Sequence, residues 1–396
     1  MIPRKVYDEA KKIVHERSGL PAQNILMAAT HTHSAPAAVG IFQATADPEY
    51  QKFLSRRLAD SVLQAINHLE PAAIGWGKGT EPRHVSNRRW KTKPGVINRN
   101  LATGGEDEVR MNPRPGGPEI LEPAGPTDPE VSVLAVRSAR GRPIALLANY
   151  SMHYCGGVGG DGVISADYFG VFCNRMAELL GADRQEPSFV AMLSNGTSGD
   201  CNSTDFRQPP KSEPPFTQIH RVANDVAAVA LDVYQNMKYQ EWIALKSAQK
   251  EISLGVRRAA PRELEEAKAR LANAKHRPNG QLEPWTRDIY DREAVLLSDY
   301  PANVPLVLQA FRIGDLGIAA IPCEVFAEIG LELKKKSALQ PLFTIELANG
   351  YNGYLPTPRQ HKMGGYETWR ARSSYLEIEA SDKITSTVLA LLESLK

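Results

Sequence analysis

At 396 residues, with 42% hydrophobic and 23% charged side chains, the chain has the make-up of a globular protein of one large or two ordinary domains. Its 47 basic and 45 acidic side chains leave a formal charge of +2, which gives no electrostatic case for nucleic acid; no basic block marks a membrane surface. The four cysteines share no C-x-x-C spacing, so neither a zinc knuckle nor a thioredoxin-like motif is indicated.

Residues 4–17 predict a helix, with Val6, Ala10 and Ile13-Val14 on one stripe and Ser18-Gly19 as its stop. The first residues, Met1-Ile2-Pro3-Arg4-Lys5, lead into a charged helical pattern rather than the apolar core of a signal peptide, so no export address is expected in the chain as written. The apolar run Ile25-Leu26-Met27-Ala28-Ala29-Thr30 predicts a strand over 24–30 that delivers His31. Asp47-Pro48 pairs an N-cap with Pro at the first helical position, and the helix runs to about residue 69 on Phe53, Leu54, Leu58, Val62 and Ile66. Short strands are expected at 72–78 and 83–87. Residues 91–128, rich in Gly, Pro, Asn and charge, predict a long excursion or lid.

A hairpin follows, 131–136 and 144–150 about Gly141, and its second strand delivers His153. Next come helix 166–180, strand 188–194, a Gly/Asn/Ser/Asp turn at 195–203 and helix 217–237. Residues 240–256 predict an exposed strand and 261–275 a charged helix. Strands 305–312 and 316–321 lead to Pro322-Cys323-Glu324, which opens a helix over 324–337. Strand 342–348 enters a Gly/Tyr-rich loop, and helix 377–395 closes the chain. Strands alternating with helices predict an α/β fold, and the hairpin makes the sheet mixed: a mixed β-sheet core flanked by helices, in one domain over 1–396. No run of 18 apolar residues occurs, so no transmembrane segment is expected. The oligomeric state is not legible.

His31-Thr32-His33 is the strongest chemical signal. Neutral imidazole is the commonest metal ligand, and in a strand residues i and i+2 share a face. Taken alone, the pair is equally two ordinary polar loop residues. Four polar groups, however, recur at the exits of apolar strands: His31, His153, Glu324 and Tyr354. Two His, a carboxylate and a further oxygen suit Zn2+ with water in the remaining position, at the strand ends where α/β folds place chemistry. Each has a plainer alternative. His153 reads as a hydrogen-bonded core histidine, Glu324 as a first-turn carboxylate favoured by a helix dipole, and Tyr354 as a packing residue.

Several longer stretches carry a resemblance. They are Ala29-Thr30-His31-Thr32-His33-Ser34-Ala35-Pro36, Ser86-Asn87-Arg88-Arg89, Asp128-Pro129-Glu130-Val131, Asn149 to His153, and Asn195 to Asn202. Pro322-Cys323-Glu324, Leu347 to Thr357 and Gly364-Gly365-Tyr366-Glu367 complete the set, in order along the chain. With these the chain resembles the catalytic domain of the neutral, non-lysosomal ceramidase family. That family hydrolyses the amide of N-acylsphingosine with one zinc held by two His, one Glu and one Tyr. The resemblance implies that His31, His153, Glu324 and Tyr354 hold Zn2+. It implies that His33, Arg88 (with Arg89 as the competing choice) and Tyr366 face the scissile carbonyl. Imidazole, guanidinium and phenol all donate to a developing oxyanion.

The chain departs from the family in two places. Where ceramidases proper carry a Ser near the metal, this chain has Asp200, followed by Cys201. Asp200 is a general base, a carboxylate orienting a histidine, or a turn residue capping its own loop. The family's N-terminal segment and C-terminal β-sandwich are expected to be absent. The expectation is a zinc-dependent amidohydrolase acting on a small N-acyl substrate, lipid-like or more polar. The alternatives are a zinc hydrolase of another ester or amide, or a metal-binding relative without catalysis. The resemblance also implies a secreted or periplasmic protein.

Overall fold

The computed structural model describes every residue except Asp161. Helices α1 (Arg4–Ser18) and α2 (Pro48–Asn67) pack together on Tyr7, Ala10, Val14 and Ala59. Asp47 caps α2 as its sequence predicts, accepting from the Glu49 and Tyr50 backbone N–H groups at 2.9 and 3.1 Å, a cap worth about 1 kcal/mol. The expected strand over 24–30 does not form. Ala28 makes an isolated antiparallel bridge to Ala348, supported by Ala29 N–H to Leu347 O and Asn349 N–H to Met27 O. The reason is local: Leu347, Asn349 and His31 have φ of 53°, 62° and 63°, which turns both chains out of a continuing ladder.

The chain continues through β1 (Ala72–Thr80), the short β2 (Ser86–Asn87) and β3 (Arg89–Thr92), then β4 (Val109–Met111) and β5 (Ile120–Pro123). The predicted hairpin is β6 (Glu130–Ser138) and β7 (Pro143–Tyr150). Then come α3 (Asp167–Leu179), β8 (Val190–Asn195), β9 (Cys201–Asn202), α4 (Thr217–Asn236), β10 (Tyr239–Gln240) and β11 (Leu245–Gly255). Helices α5 (Pro261–Leu271) and α6 (Arg287–Ser298) precede β12 (Asn303–Ile313), β13 (Leu316–Ile321) and β14 (Glu324–Val325). The last elements are α7 (Ala327–Lys336), β15 (Leu342–Glu346), β16 (Tyr354–Leu355), α8 (Pro358–Met363) and α9 (Ala380–Ser394).

Two mixed sheets form, where sequence reasoning expected one. The first has the order β10-β1-β6-β7-β8 and the second β11-β12-β13-β15. Each ends in a parallel pair, β7 with β8 and β13 with β15. Period-two alternation explains the layering. In β13, Leu316, Ile318 and Ala320 face the first sheet's Trp76, Leu134 and Leu147, whereas Ala319 and Ile321 face the core beneath α7 and α9. On the outer face of the first sheet, Val131, Val133 and Ala135 meet α3 and α4. Helix α4 comes close because β1 alternates glycines: a Cβ at Gly79 would lie 2.4 Å from Val229 Cγ1, and one at Gly77 2.9 Å from Val233 Cγ1.

Three further expectations change. The helix at 324–337 starts at Ala327, because Glu324 and Val325 pair in parallel with Tyr354 and Leu355. The excursion 91–128 is not bare loop; β3 pairs with both β4 and β5. Helices α6 and α8 were not foreseen. Among the described residues, no helix is long and apolar enough to cross a membrane.

Candidate active site

The carboxyl ends of the two parallel pairs meet, and the polar side chains gather there. His153 follows β7, Ser198 follows β8, Glu324 follows β13, and Glu346 ends β15. His31 arrives from the bridge at Ala28 on a left-handed backbone, φ 63°, a conformation a non-glycine residue adopts at some cost.

Three buried side chains converge. His31 Nε2 lies 3.3 Å from Glu324 Oε2, and His153 Nε2 lies 3.5 Å from the same oxygen. The two imidazoles are edge to face with centroids 4.5 Å apart. His33 Nε2 sits 3.2 Å from His31 Nε2, and the His33 ring stacks on Tyr154 at 3.6 Å. Nitrogens of His31, His33 and His153 all lie within 4.8 Å of one another. Burial pushes the protonation of His31 and His153 well below the usual imidazole range, so both are neutral and carry a lone pair at neutral pH. His33 is pushed down to about 3, first by desolvation and then by His31.

These atoms fit a cation. His153 Nε2 and Glu324 Oε2 face each other, buried and without hydrogen-bond partners, which is costly unless something else satisfies them; His31 presents Nε2 to the same oxygen, and its Nδ1 is also buried without a partner. The opposite atoms are held. His153 Nδ1 donates to Ser198 O at 3.0 Å, fixing the tautomer with its lone pair on Nε2. Tyr351 donates its hydroxyl to Glu324 Oε1 at 2.9 Å, leaving Oε2 free. Two imidazoles and a carboxylate form the donor set of hydrolytic zinc.

Tyr354 occupies the parallel partner position to Glu324. Its hydroxyl accepts from Arg88 Nη2 at 3.0 Å, and burial pushes its phenol well above the usual range. The two arginines separate cleanly. Arg88 touches Tyr354, and its Nε donates to Glu367 Oε1 at 2.8 Å. Arg89 is fully buried and donates to Glu367 Oε2, Gln360 Oε1 and Gly364 O, so it holds the loop that carries Tyr366. The Tyr366 ring stands edge to face with Tyr354 at 5.8 Å, and burial raises its phenol too.

Asp200 spends its carboxylate elsewhere. Oδ2 accepts from Asn87 Nδ2 at 2.7 Å, and Oδ1 from the Ala327 N–H at 2.8 Å, at the start of α7. Burial pushes it up to about 6. These bonds brace β2 to the start of α7, a role outside the three that the sequence left open for Asp200. Sequence reasoning missed Tyr154, Tyr351, Ser198, Glu346 and Glu367. Glu346 left one signal: a lone carboxylate at the end of the apolar run Leu342-Phe343-Thr344-Ile345.

A cavity of about 490 Å³ opens beside His31 and His33, walled by Ala35, Pro36, Val39, Ile41 and Leu54. A smaller one of about 150 Å³ lies at Tyr366, between Trp285 and Trp369. Segment 91–128 reaches this side: Asp107 Oδ2 accepts from Gly365 N–H and Trp369 Nε1.

The sequence matches no family model and no curated protein. Solved structures do match. Neutral ceramidase from Pseudomonas aeruginosa aligns with a TM-score of 0.69 and 16% identity, over all of this chain and 65% of that one. The fold is ceramidase-like. A ceramidase complexed with C2 gives a TM-score of 0.71 at 16% identity, over all of this chain and 66% of that structure. This chain thus spans about 65% of the length of the structures it matches, and at this identity the likeness is one of fold.

Proposed function

We propose that this chain is a metal-dependent amidohydrolase that cleaves an N-acyl amide bond, with Zn2+ as its metal and a ceramide-like N-acylsphingosine as substrate. The observation that carries it is the convergence of His31, His153 and Glu324 with buried, partnerless atoms at the strand ends of a ceramidase-like fold. His31, His153 and Glu324 would hold the ion, with Tyr354 as the fourth donor. Bound there, zinc supplies Lewis acidity toward a carbonyl and acidifies water.

The remaining steps belong to the chain's own groups. Arg88 and Tyr366 flank Tyr354, and His33 flanks His31. An amide carbonyl seated among them meets three donors as its oxygen gains charge. The Tyr366 phenol stays protonated at neutral pH because burial raises it, so its O–H remains available to donate. Arg88 is held in place by Glu367, which limits the reorganisation needed when charge develops. The apolar walls beside His31 and His33 suit an alkyl chain. Asp200 acts as a positioning residue.

The test is release of fatty acid from N-acylsphingosine by the purified chain, with and without a chelator. Turnover abolished by the chelator, restored by zinc, and absent in His31→Ala and Glu324→Ala supports the proposal. Turnover indifferent to the chelator or to both substitutions overturns it.

A further inference from the structure

Glu346 is a buried carboxylate to which the hydrolytic chemistry assigns no role. It is the last residue of β15, 0% exposed, in a strand that is otherwise apolar but for Thr344. Burying a carboxylate is expensive unless its oxygens are filled. Here they are. Oε1 accepts from Ser198 Oγ at 2.5 Å, and Oε2 accepts from the backbone N–H groups of Val325 at 2.7 Å and Ser198 at 3.2 Å.

These three donors come from two different places. Ser198 lies in the loop after β8, in the first sheet, and its carbonyl is the one that receives His153 Nδ1–H. Val325 adjoins Glu324, after β13 in the second sheet. The two segments also bond directly, Gly199 N–H to Val325 O at 2.8 Å, so closely that a Cβ at Gly199 would lie 2.5 Å from Glu324 O. Leu347, the next residue, accepts from Ala29 N–H on the segment that leads to His31. One carboxylate therefore stands where the carriers of all three metal-directed side chains cross.

We infer that Glu346 is a positioning residue that clamps the two sheets together at their strand ends and so sets the separation of His153 and Glu324 for metal binding. This rests on the metal reading of the site. A hydrogen bond to the far side of a ligand fixes its orientation, and such outer partners are worth about 10- to 100-fold in metal affinity. Glu346 acts one bond further out, on the carbonyl that holds His153 and on the backbone beside Glu324. An apolar residue at this position would leave two buried N–H groups and a hydroxyl without partners. Gln keeps the shape and one acceptor oxygen, so it removes the acceptor for Ser198 Oγ while sparing the fold.

The experiment measures zinc affinity of the full chain by chelator competition, with the thermal midpoint of the metal-free protein recorded alongside. A Co2+ absorption spectrum reports ligand geometry independently of activity. For Glu346→Gln the expected result is a roughly 10-fold loss of zinc affinity and an altered cobalt spectrum, with the metal-free midpoint near that of wild type. Should Glu346→Gln fail to fold, Ser198→Ala removes the hydroxyl link to Glu346, together with the longer contacts of that hydroxyl to His153 Nδ1 at 3.4 Å and Asn195 Oδ1 at 3.3 Å. A several-fold loss of affinity at an unchanged midpoint is expected there. Wild-type affinity and spectrum in a folded variant would overturn the inference, as would a lowered midpoint with zinc binding intact, which describes a merely structural carboxylate. If wild type itself binds no zinc, it is the metal reading that has failed, and the two failures are told apart by that control.

Discussion

Two buried polar clusters meet at Tyr354, and they treat their hydrogen bonds in opposite ways. In the Arg88–Arg89–Glu367 cluster every charge is matched: Glu367 receives both arginines, and Arg89 also satisfies Gln360 and Gly364. In the His31–His153–Glu324 cluster, His153 Nδ1 and Glu324 Oε1 are satisfied, by Ser198 O and Tyr351, while His153 Nε2, Glu324 Oε2 and His31 Nδ1 are left without partners. Burial is similar in the two. A cluster whose charges are matched is a rigid scaffold, and from it only Arg88 reaches the site, beside Tyr354. A cluster braced from behind and open in front has a preorganised capacity for a ligand.

The comparison breaks most visibly at the open cluster. Glu324→Ala is expected to lower turnover by at least about 1,000-fold, because a metal supplies several kcal/mol of transition-state stabilisation, while the metal-free thermal midpoint changes little. Fatty-acid release and calorimetry of the same preparation check both halves. The saturated cluster should respond in the other currency. Glu367→Ala strands two buried guanidinium groups and is expected to cost about 3–5 kcal/mol in urea unfolding. A loss below about 1 kcal/mol would mean that the pair is not the scaffold described.

Tyr366 tests the boundary between the two, since it is held by the scaffold but serves the site. Tyr366→Phe is expected to lower kcat about 100-fold with little change in KM or stability, as for loss of one oxyanion donor. A change confined to KM would move Tyr366 from the chemistry to substrate binding.

The effect at Asp200 is read against pH. Its folded value of about 6 lies above the ordinary 3.8, so the unfolded chain releases this proton first. Its contribution to stability is therefore fully present below about pH 4 and is lost as pH rises to about 6, up to about 3 kcal/mol. Asp200→Asn should gain on wild type across that window and run parallel above it. Denaturant midpoints at a series of pH values check the sign, and equal slopes in both proteins would refute it.

Much of the fold was legible because it is written in periodicity. The helical stripe of α2 with its Asp47 cap, the hairpin of β6 and β7, and the apolar runs of β13 and β15 all lie close to where the pattern puts them. What failed depended on partners far away in sequence. The run at 25–30 has strand composition, but its ladder is cut short by positive φ at Leu347 and Asn349, which no local pattern announces. The split into two sheets turns on which strand faces Trp76 and Leu147, a tertiary fact. At the site, His31, His153 and Glu324 stood out by residue type at apolar run ends, and the structure gathers them. Arg88 could not be told from Arg89 because adjacent residues differ only in direction, which the strand sets. Glu346 was hidden by its apolar neighbours.

The central claim is that the open cluster holds a metal. The most direct test is metal content of the purified full chain, wild type beside His153→Ala, before and after zinc is added back. The account predicts about one zinc per chain in wild type and little in the variant, with both proteins folded. Wild type that takes up no zinc even when it is supplied, or a folded His153→Ala that holds as much zinc as wild type, would contradict it.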